Sequence, residues 1–304
     1  MTRILCLLLL IAALAVCAAL LPLALPVLIV VGVVQAVLLF FLIWTAMLHG
    51  RRSHPAWPVL ERFRYAHRGL HDKEHGIPEN SLAAFRLAAE HGYGAELDVH
   101  LTRDGRLAVI HDATLDRVCG VSGRAAELTA AALSALRLEG TEERIPFLEE
   151  VAPLFAGRAP LIVELKTDWR SARDLARRTV ECLDRFSIDY CVESFDPRPL
   201  LWLRRRRPDV LRGQLSQNFH RHPSGQGLWN RLALTNLFYN VFTRPDFVAY
   251  RFEDRGQPAV RLCRRWGMRM AYWTLRSWTE VVLAERERAL PIFETLDGPK
   301  EETH

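Results

Sequence analysis

The amino-acid sequence predicts an α/β protein, a (β/α)8 TIM barrel preceded by an N-terminal transmembrane helical hairpin. Three observations lead to this prediction. First, the 45 residues from Ile4 to Leu48 include no charged side chain, although 25% of the 304 residues are charged. Second, short apolar runs alternate with helical patterns over about 235 residues, a typical length for such a barrel. Third, ionisable side chains recur where these runs end.

The uncharged N-terminal stretch is too long for one membrane span, which needs about 20 residues, and has about the right length for two. Pro22 and Pro26 divide it, because proline removes a backbone donor and ends helices. Ile4–Leu21 and Val27–Leu48 are therefore predicted as two spans. Residues 1–50 would form a membrane anchor.

Basic residues flank this anchor at both outer ends. Arg3 precedes the first predicted span, and Arg51 and Arg52 follow the second. Because positive charge is retained on the cytoplasmic side, we expect a multi-pass protein with both anchor ends inside and a cytoplasmic catalytic domain. The alternative for Ile4–Ala19 is a cleaved signal peptide, which the apolar run that follows disfavours.

Charge and cysteine content limit the possible functions of the remaining chain. Without Arg3, 39 Lys and Arg stand against 35 Asp and Glu. This mild basic excess suits a membrane surface or a phosphate compound and gives no basis for nucleic-acid binding. The six cysteines show no C-x-x-C pair and no disulfide spacing, so we expect reduced cysteines that bind no zinc.

The soluble part reads as a short linker, residues 51–62, followed by a barrel domain, residues 63–300. The apolar runs predict strands at Arg64–Ala66, Ala95–Val99, Leu107–Ile110, Leu161–Leu165, Tyr190–Ser194, Val210–Leu215, Phe247–Tyr250 and Met270–Trp273. Helices are predicted at Ser81–His91, Ser171–Phe186, Arg198–Arg206, Leu228–Phe242, Pro258–Trp266 and Trp278–Arg288. An open doubly wound sheet is the alternative to the barrel.

Ionisable side chains lie at the ends of four predicted strands. In a parallel barrel all strand C-termini open on one face, so these side chains should converge there. Side chains two apart on a strand also point to the same side. The residues concerned are His67 and Arg68, Glu96 and Asp98, His111 and Asp112, and Glu164 and Lys166.

The carboxylates Glu96, Asp98 and Glu164 predict a metal site. Three carboxylates in one place repel one another and raise their own pKa values, and a divalent cation removes that penalty. All-oxygen ligation favours one hard ion, Mg²⁺ or Ca²⁺, over zinc.

The histidines and cations around this site fit the cleavage of a phosphate ester. His67 and His111 can take a proton from a nucleophile and give one to a leaving oxygen near neutral pH. Arg68 and Lys166 can stabilise the charge of the transition state. Lys166 is also one of only three lysines among 40 basic residues, which suggests that a compact ammonium is required there.

Together the motifs make the chain resemble the glycerophosphodiester phosphodiesterase family, in family order and over most of the soluble part. They are His67-Arg68-Gly69, Pro78-Glu79-Asn80, Glu96-Leu97-Asp98-Val99, Thr102-Arg103-Asp104-Gly105, Ile110-His111-Asp112, Ile145-Pro146, Glu164-Leu165-Lys166 and Trp273-Thr274. Two positions depart from the family pattern: Ser81 replaces the usual threonine, and His100 replaces a common glutamine.

The resemblance implies a (β/α)8 barrel that uses a divalent metal to hydrolyse glycerophosphodiesters to glycerol 3-phosphate and an alcohol. It implies His67 and His111 as the acid and base, and Glu96, Asp98 and Glu164 as the metal ligands. The implied substrate-binding residues are Arg68, Lys166, Glu79 and Trp273. It also implies that a glycerol hydroxyl attacks first and gives a cyclic phosphate that water opens.

Three hypotheses follow. The leading one is a membrane-anchored, metal-dependent phosphodiesterase acting on glycerophosphodiesters. The second is a lysophospholipase D that releases lysophosphatidic acid from lysophospholipids in the bilayer, which the hairpin would hold within reach. The third is a catalytically silent membrane-bound barrel, which the presence of both His67 and His111 disfavours. The leaving alcohol, the choice between Mg²⁺ and Ca²⁺ and the oligomeric state stay open.

Overall fold

A computed structural model describes residues 10–16, 25–51, 54–167, 171–223, 225 and 227–294. The chain divides into two compact units, Met1–His49 and Gly50–His304. In the first unit the helix Leu25–Met47 contains a stretch, Leu25–Ala46, that is long and apolar enough to cross a membrane. Among the described residues it is the only helix that meets this criterion.

The first unit has one described helix that could span a membrane, and the predicted two-helix hairpin is not shown. Residues 10–16 are helical, and the side-chain nitrogen of Gln35 lies 3.5 Å from the carbonyl oxygen of Ile11. The rest of the first predicted span, with Pro22, lies outside the described residues. Pro26 does not precede the second helix but sits in its first turn, where proline is tolerated because that backbone N–H has no partner in the helix.

The second unit contains a closed barrel of eight parallel strands, which confirms the predicted (β/α)8 architecture. The strands of the sheet are β1 (Tyr65–His67), β2 (Gly94–Leu101), β3 (Leu107–Val109), β4 (Leu161–Leu165), β5 (Tyr190–Ser194), β6 (Leu211–Ser216), β7 (Phe247–Arg251), β8 (Arg269–Leu275) and β9 (Ala289–Phe293). All except β3 pair in parallel, and β1 closes the ring by pairing with both β2 and β9.

Two of the predicted strand assignments need correction. The strand predicted at Leu107–Ile110 is not a barrel strand, because β3 runs antiparallel to β2. Only five residues connect them, whereas a parallel crossover needs a dozen or more, and Gly105 makes the turn with φ +81°. The eighth barrel strand is β9, which was not predicted. It contains Pro291, and an internal proline usually argues against a central strand.

Helices surround the barrel, at Leu82–Glu90, Leu148–Phe155, Ala172–Leu183, Pro197–Arg206, Leu228–Thr235, Asn240–Thr243, Pro258–Arg265 and Trp278–Arg286. Shorter helices lie at Trp57–Leu60, Asp116–Cys119, Ala125–Glu127, Ala130–Ser134 and Phe252–Asp254. The helix Leu148–Phe155 was not predicted. The single helix predicted at Leu228–Phe242 is two helices, because Leu237 between them has φ +58°.

The amino ends of the strands form the base of the barrel, and residues 54–62 of the expected linker 51–62 pack there. Its helix Trp57–Leu60 buries Trp57 and Leu60 against residues that begin strands, such as Phe247, whose ring centroid is 5.7 Å from that of Trp57. The backbone N–H of Arg51 donates to the carbonyl of Pro245 at 2.9 Å. With the base filled, the carboxyl ends of the strands carry the cavity described next.

Candidate active site

A cavity of about 530 Å³ lies at the carboxyl ends of the barrel strands. Seven of the nine predicted site residues line it. The other two are one contact away: Asp98 lies 3.1 Å from the amino nitrogen of Lys166, and Glu79 accepts a hydrogen bond from Arg68. The fold therefore brings all nine predicted residues together.

The three predicted metal ligands form one buried cluster. Glu96 and Asp98 point to the same side of β2, and Asp98 lies beside Glu164 in the register of β2 and β4. One carboxylate oxygen from each of Glu96, Asp98 and Glu164 lies within 4.8 Å of the others, and all three side chains are buried. This set of oxygen donors fits a single hard divalent cation.

Burial and mutual repulsion shift the pKa values of these carboxyl groups. Burial, together with Asp98 and Glu164, raises the pKa of Glu96 well above its ordinary value. Burial also raises the pKa of Glu164 to about 7. Burial would raise the pKa of Asp98 as well, but Lys166, His111 and Arg68 hold it well below its ordinary value.

Two cations reach into the cluster from opposite directions. The amino nitrogen of Lys166 lies 2.8 Å from Glu164 and 3.1 Å from Asp98. The Nε of Arg68 lies 3.6 Å from the same Asp98. Burial would lower the pKa of Lys166, but these two carboxylates raise it, so the ammonium stays charged. Both cations are available to a bound anion such as a phosphate.

The two histidines reach the cavity by different routes. His67 ends β1, and its Nε2 lies 3.9 Å from Glu96. His111 follows the antiparallel β3, and its Nδ1 lies 2.7 Å from Asp112. Burial lowers the pKa of both, that of His111 to about 4, so each imidazole is neutral at pH 7 and can accept a proton.

Glu79 and Asn80 hold Arg68 and Asp98 in place. The Arg68 guanidinium donates to Glu79 at 3.0 Å, and Arg117 donates to the other side of that carboxylate. The Asn80 amide donates to Asp98 at 3.0 Å, and its backbone N–H donates to the carbonyl of Arg68 at 2.8 Å. Arg68 and Asn80 both have positive φ, 59° and 53°. The positioning roles of Asn80 and Arg117 were not predicted from the sequence.

One wall of the cavity is apolar. Trp273 packs edge to face on Phe195, with ring centroids 5.8 Å apart, and Phe195 packs in the same way on Phe219. All three rings line the cavity. The predicted substrate contact of Trp273 therefore belongs to an aromatic wall that faces the polar cluster.

Three further carboxylates in the cavity were missed, Glu193, Glu253 and Glu294. Glu193 lies in β5, a strand that was predicted correctly, so the strand-end argument used for Glu164 could have found it. Glu294 follows β9, the strand that was not predicted. Its carboxylate lies 3.7 Å from Nδ1 of His67 and 3.5 Å from Nε2 of His71, a histidine that carried no assigned role. These histidines lower the pKa of Glu294.

Comparison with known proteins places this site in a family. The model of the glycerophosphoryl diester phosphodiesterase family matches residues 67–293. A glycerophosphodiester phosphodiesterase of Caldanaerobacter subterraneus is 32% identical over 221 residues, which is 69% of this chain and 84% of that protein. Glycerophosphodiester phosphodiesterase 1 of Mus musculus is 46% identical over 94 residues, 28% of each chain.

The fold also has solved counterparts. A phosphodiesterase of Oleispira antarctica, solved in complex with the product sn-glycerol-3-phosphate, has a TM-score of 0.62 and 20% identity. The match covers 76% of this chain and 92% of that one. At this identity the likeness supports the barrel fold.

Proposed function

Because this chain belongs to the glycerophosphoryl diester phosphodiesterase family and is a phosphodiester hydrolase, we propose that it cleaves glycerophosphodiesters to glycerol 3-phosphate and an alcohol. One observation carries this proposal. Three buried carboxylates, two histidines and two cations from separate parts of the chain meet in or directly beside one cavity. This set can hold a metal, bind a phosphate and move protons.

Glu96, Asp98 and Glu164 would hold one divalent cation, Mg²⁺ or Ca²⁺. The geometry supports this, because one oxygen from each of the three buried carboxylates lies within 4.8 Å of the others, and a cation would relieve their mutual repulsion. When bound, such an ion supplies charge that stabilises the phosphorane-like transition state and makes a hydroxyl more acidic.

The side chains around the cluster would bind the substrate and move its protons. Arg68 and Lys166 bind the phosphate oxygens, Glu79 orients Arg68, and Trp273 packs against the substrate. One imidazole of His67 and His111 accepts the proton of the attacking glycerol hydroxyl. The other imidazole would be protonated in the substrate complex, where the anionic phosphate favours its charged form, and it donates that proton to the leaving alcohol as the bond between phosphorus and that alcohol breaks. The oxygen–phosphorus bond that forms gives a cyclic phosphate, which water then opens.

The test uses the full chain purified in detergent. It is incubated with glycerophosphocholine and with glycerophosphoethanolamine, in Mg²⁺, in Ca²⁺ and in excess chelator. We expect glycerol 3-phosphate as the phosphorylated product in at least one metal and none with chelator. Equal turnover with chelator would remove the metal role of the three carboxylates.

A lysophospholipase D is the second candidate, favoured by the apolar helix Leu25–Met47. It would give lysophosphatidic acid from lysophosphatidylcholine in the same assay, and no glycerol 3-phosphate. A third candidate, a catalytically silent barrel, would release neither product in any metal.

We also propose that the N-terminal segment anchors the chain in a membrane as a two-helix hairpin, with both ends and the barrel in the cytoplasm. The span length of Leu25–Ala46 supports this, as does the approach of Gln35 to the helical residue Ile11. A phosphatase reporter fused after His304 tests the topology. Reporter activity outside the cytoplasm would contradict it.

A further inference from the structure

Glu193 is a cavity carboxylate that the proposed reaction does not use. It lies next to Glu164 in the register of β4 and β5 and is 2% exposed. Its Oε2 has no hydrogen-bond partner among the described residues. Burying a carboxylate without a partner is unfavourable, and because Glu193 lines the cavity, a donor bound there could approach this side chain.

Neither a metal nor a protein cation accounts for Glu193. The three carboxylates whose oxygens lie within 4.8 Å of one another do not include it. No Lys, Arg or His of the described ranges forms an ion pair with Glu193, whereas the cavity residue Glu253 is paired with Arg251 at 2.6 Å. Burial and the neighbouring Glu164 raise the pKa of Glu193, as expected for a carboxyl group without a partner.

The substrate offers few groups that could satisfy this carboxylate. The inference rests on the proposed function, in which the substrate is a glycerophosphodiester. Its phosphate is anionic and has no donor, so it belongs at Arg68 and Lys166. The glycerol part carries two hydroxyls. The proposed reaction uses the middle hydroxyl as the nucleophile, which leaves the terminal hydroxyl to donate elsewhere.

We propose that Glu193 accepts a hydrogen bond from the free terminal hydroxyl of the glycerol and thereby selects substrates whose glycerol is not acylated. In a 1-acyl lysophospholipid this oxygen is esterified and cannot donate. Binding such a lipid would leave Glu193 buried and unpaired, and sites built to bind a hydroxyl reject analogues that lack it. Glu193 would then favour a soluble diester over a lysophospholipid.

The test combines two substrates with variants of the full chain in detergent. One substrate is glycerophosphocholine. The other is propane-1,2-diol phosphocholine, which keeps the middle hydroxyl and replaces the terminal one with hydrogen. The variants are Glu193→Gln and Glu193→Leu, and Glu253→Gln is the matched control because it removes a cavity carboxylate that already has a partner.

We expect wild-type kcat/KM to be at least about tenfold higher for glycerophosphocholine than for its deoxy analogue, as for a hydrogen bond to a charged group. Glu193→Leu should reduce this ratio to below about threefold, Glu193→Gln should give an intermediate ratio, and Glu253→Gln should keep the wild-type ratio. The ratio of glycerophosphocholine to 1-acyl-lysophosphatidylcholine turnover should fall in the same order.

Several outcomes would overturn the inference. The Glu193 variants could keep the wild-type ratio, or lose activity equally on both substrates, which would indicate a role in folding or in metal binding. A wild-type enzyme that hydrolyses both substrates equally would remove the inference and leave the proposed function intact. A wild-type enzyme that cleaves no diester in any metal would remove the proposed function itself.

Discussion

The two ends of the barrel differ in how their charged groups are paired. At the base, charged groups are paired: Arg51 with Asp246, Arg64 with Glu285 at 2.7 Å, and Arg207 with Asp184 at 2.6 Å. At the carboxyl end, Glu96, Asp98, Glu164 and Glu193 lie close together and outnumber the cations beside them.

The base of the barrel contributes to stability, and the carboxyl end contributes to the proposed function. The base buries Trp57 and Leu60 against the first residues of the strands and closes one end of the barrel with apolar contact. The carboxyl end holds carboxylates close together, which we expect to destabilise the protein without ligands and which the proposed function would use to bind a cation and a substrate hydroxyl. Residues that serve function often reduce stability in this way. Substitutions at the base should therefore lower stability and leave turnover unchanged. Substitutions at the carboxyl end should lower turnover without lowering stability.

The largest effect is expected for His111→Ala. Loss of an acid or base group lowers turnover by about 10² to 10⁴. Because the His111 side chain is about one third exposed, the thermal midpoint should change little. Turnover of glycerophosphocholine and thermal unfolding are measured on the same preparation. Unchanged turnover would contradict the role of His111.

Trp57→Ala should give the reverse signature. It removes a buried ring from the base and is expected to lower the free energy of unfolding by about 3 to 5 kcal/mol. The kcat of the protein that remains folded should stay close to wild type, because the ring lies at the far end of the strands from the cavity. Denaturant unfolding and active-site titration test this. A selective fall in kcat would show that the two ends are coupled.

Glu96→Gln should stabilise the metal-free protein while it removes activity. It replaces a buried carboxyl group whose charged form is disfavoured by burial and by Asp98 and Glu164, and an amide oxygen can still accept the backbone N–H of Arg68. We expect the free energy of unfolding to rise by about 1 to 2 kcal/mol in chelator. A loss of stability in urea unfolding would show that the cluster is already balanced by its neighbours.

The smallest effect is expected for Glu285→Gln at the base. Its pair with Arg64 is partly exposed, and such pairs contribute about 0 to 1 kcal/mol. Activity should be unchanged. A large loss of stability in the same urea experiment would mean that the paired charges, and not the apolar contacts, hold the base together.

Much of the fold could be predicted because local patterns and long-range packing agree. The strands Leu161–Leu165 and Tyr190–Ser194 were predicted with their observed bounds, since each is a short apolar run between helices. β3 and β9 were assigned wrongly because direction and pairing depend on partners distant in the chain. Eight strands were still counted, because one extra strand compensated for one missed strand.

The residues of the candidate site were predicted from the ends of the predicted strands. The prediction therefore missed residues where it missed a strand. Residues at the ends of predicted strands, such as Glu96 and Glu164, were found. Glu294 was missed together with the strand that carries it. Arg117 contacts Glu79 from a short helix in a long loop, and no periodic pattern in the sequence predicts such a contact.

The attachment of Arg51 has a mechanical consequence. Its backbone donates to Pro245 and its side chain pairs with Asp246, both directly before β7 at the base. A force applied to the chain before residue 50 would therefore act first on these contacts of Arg51. Strands of about five residues, roughly 16 Å long, separate them from the carboxylates. The segment before the barrel therefore joins it at the base, at the opposite end of the strands from the candidate active site.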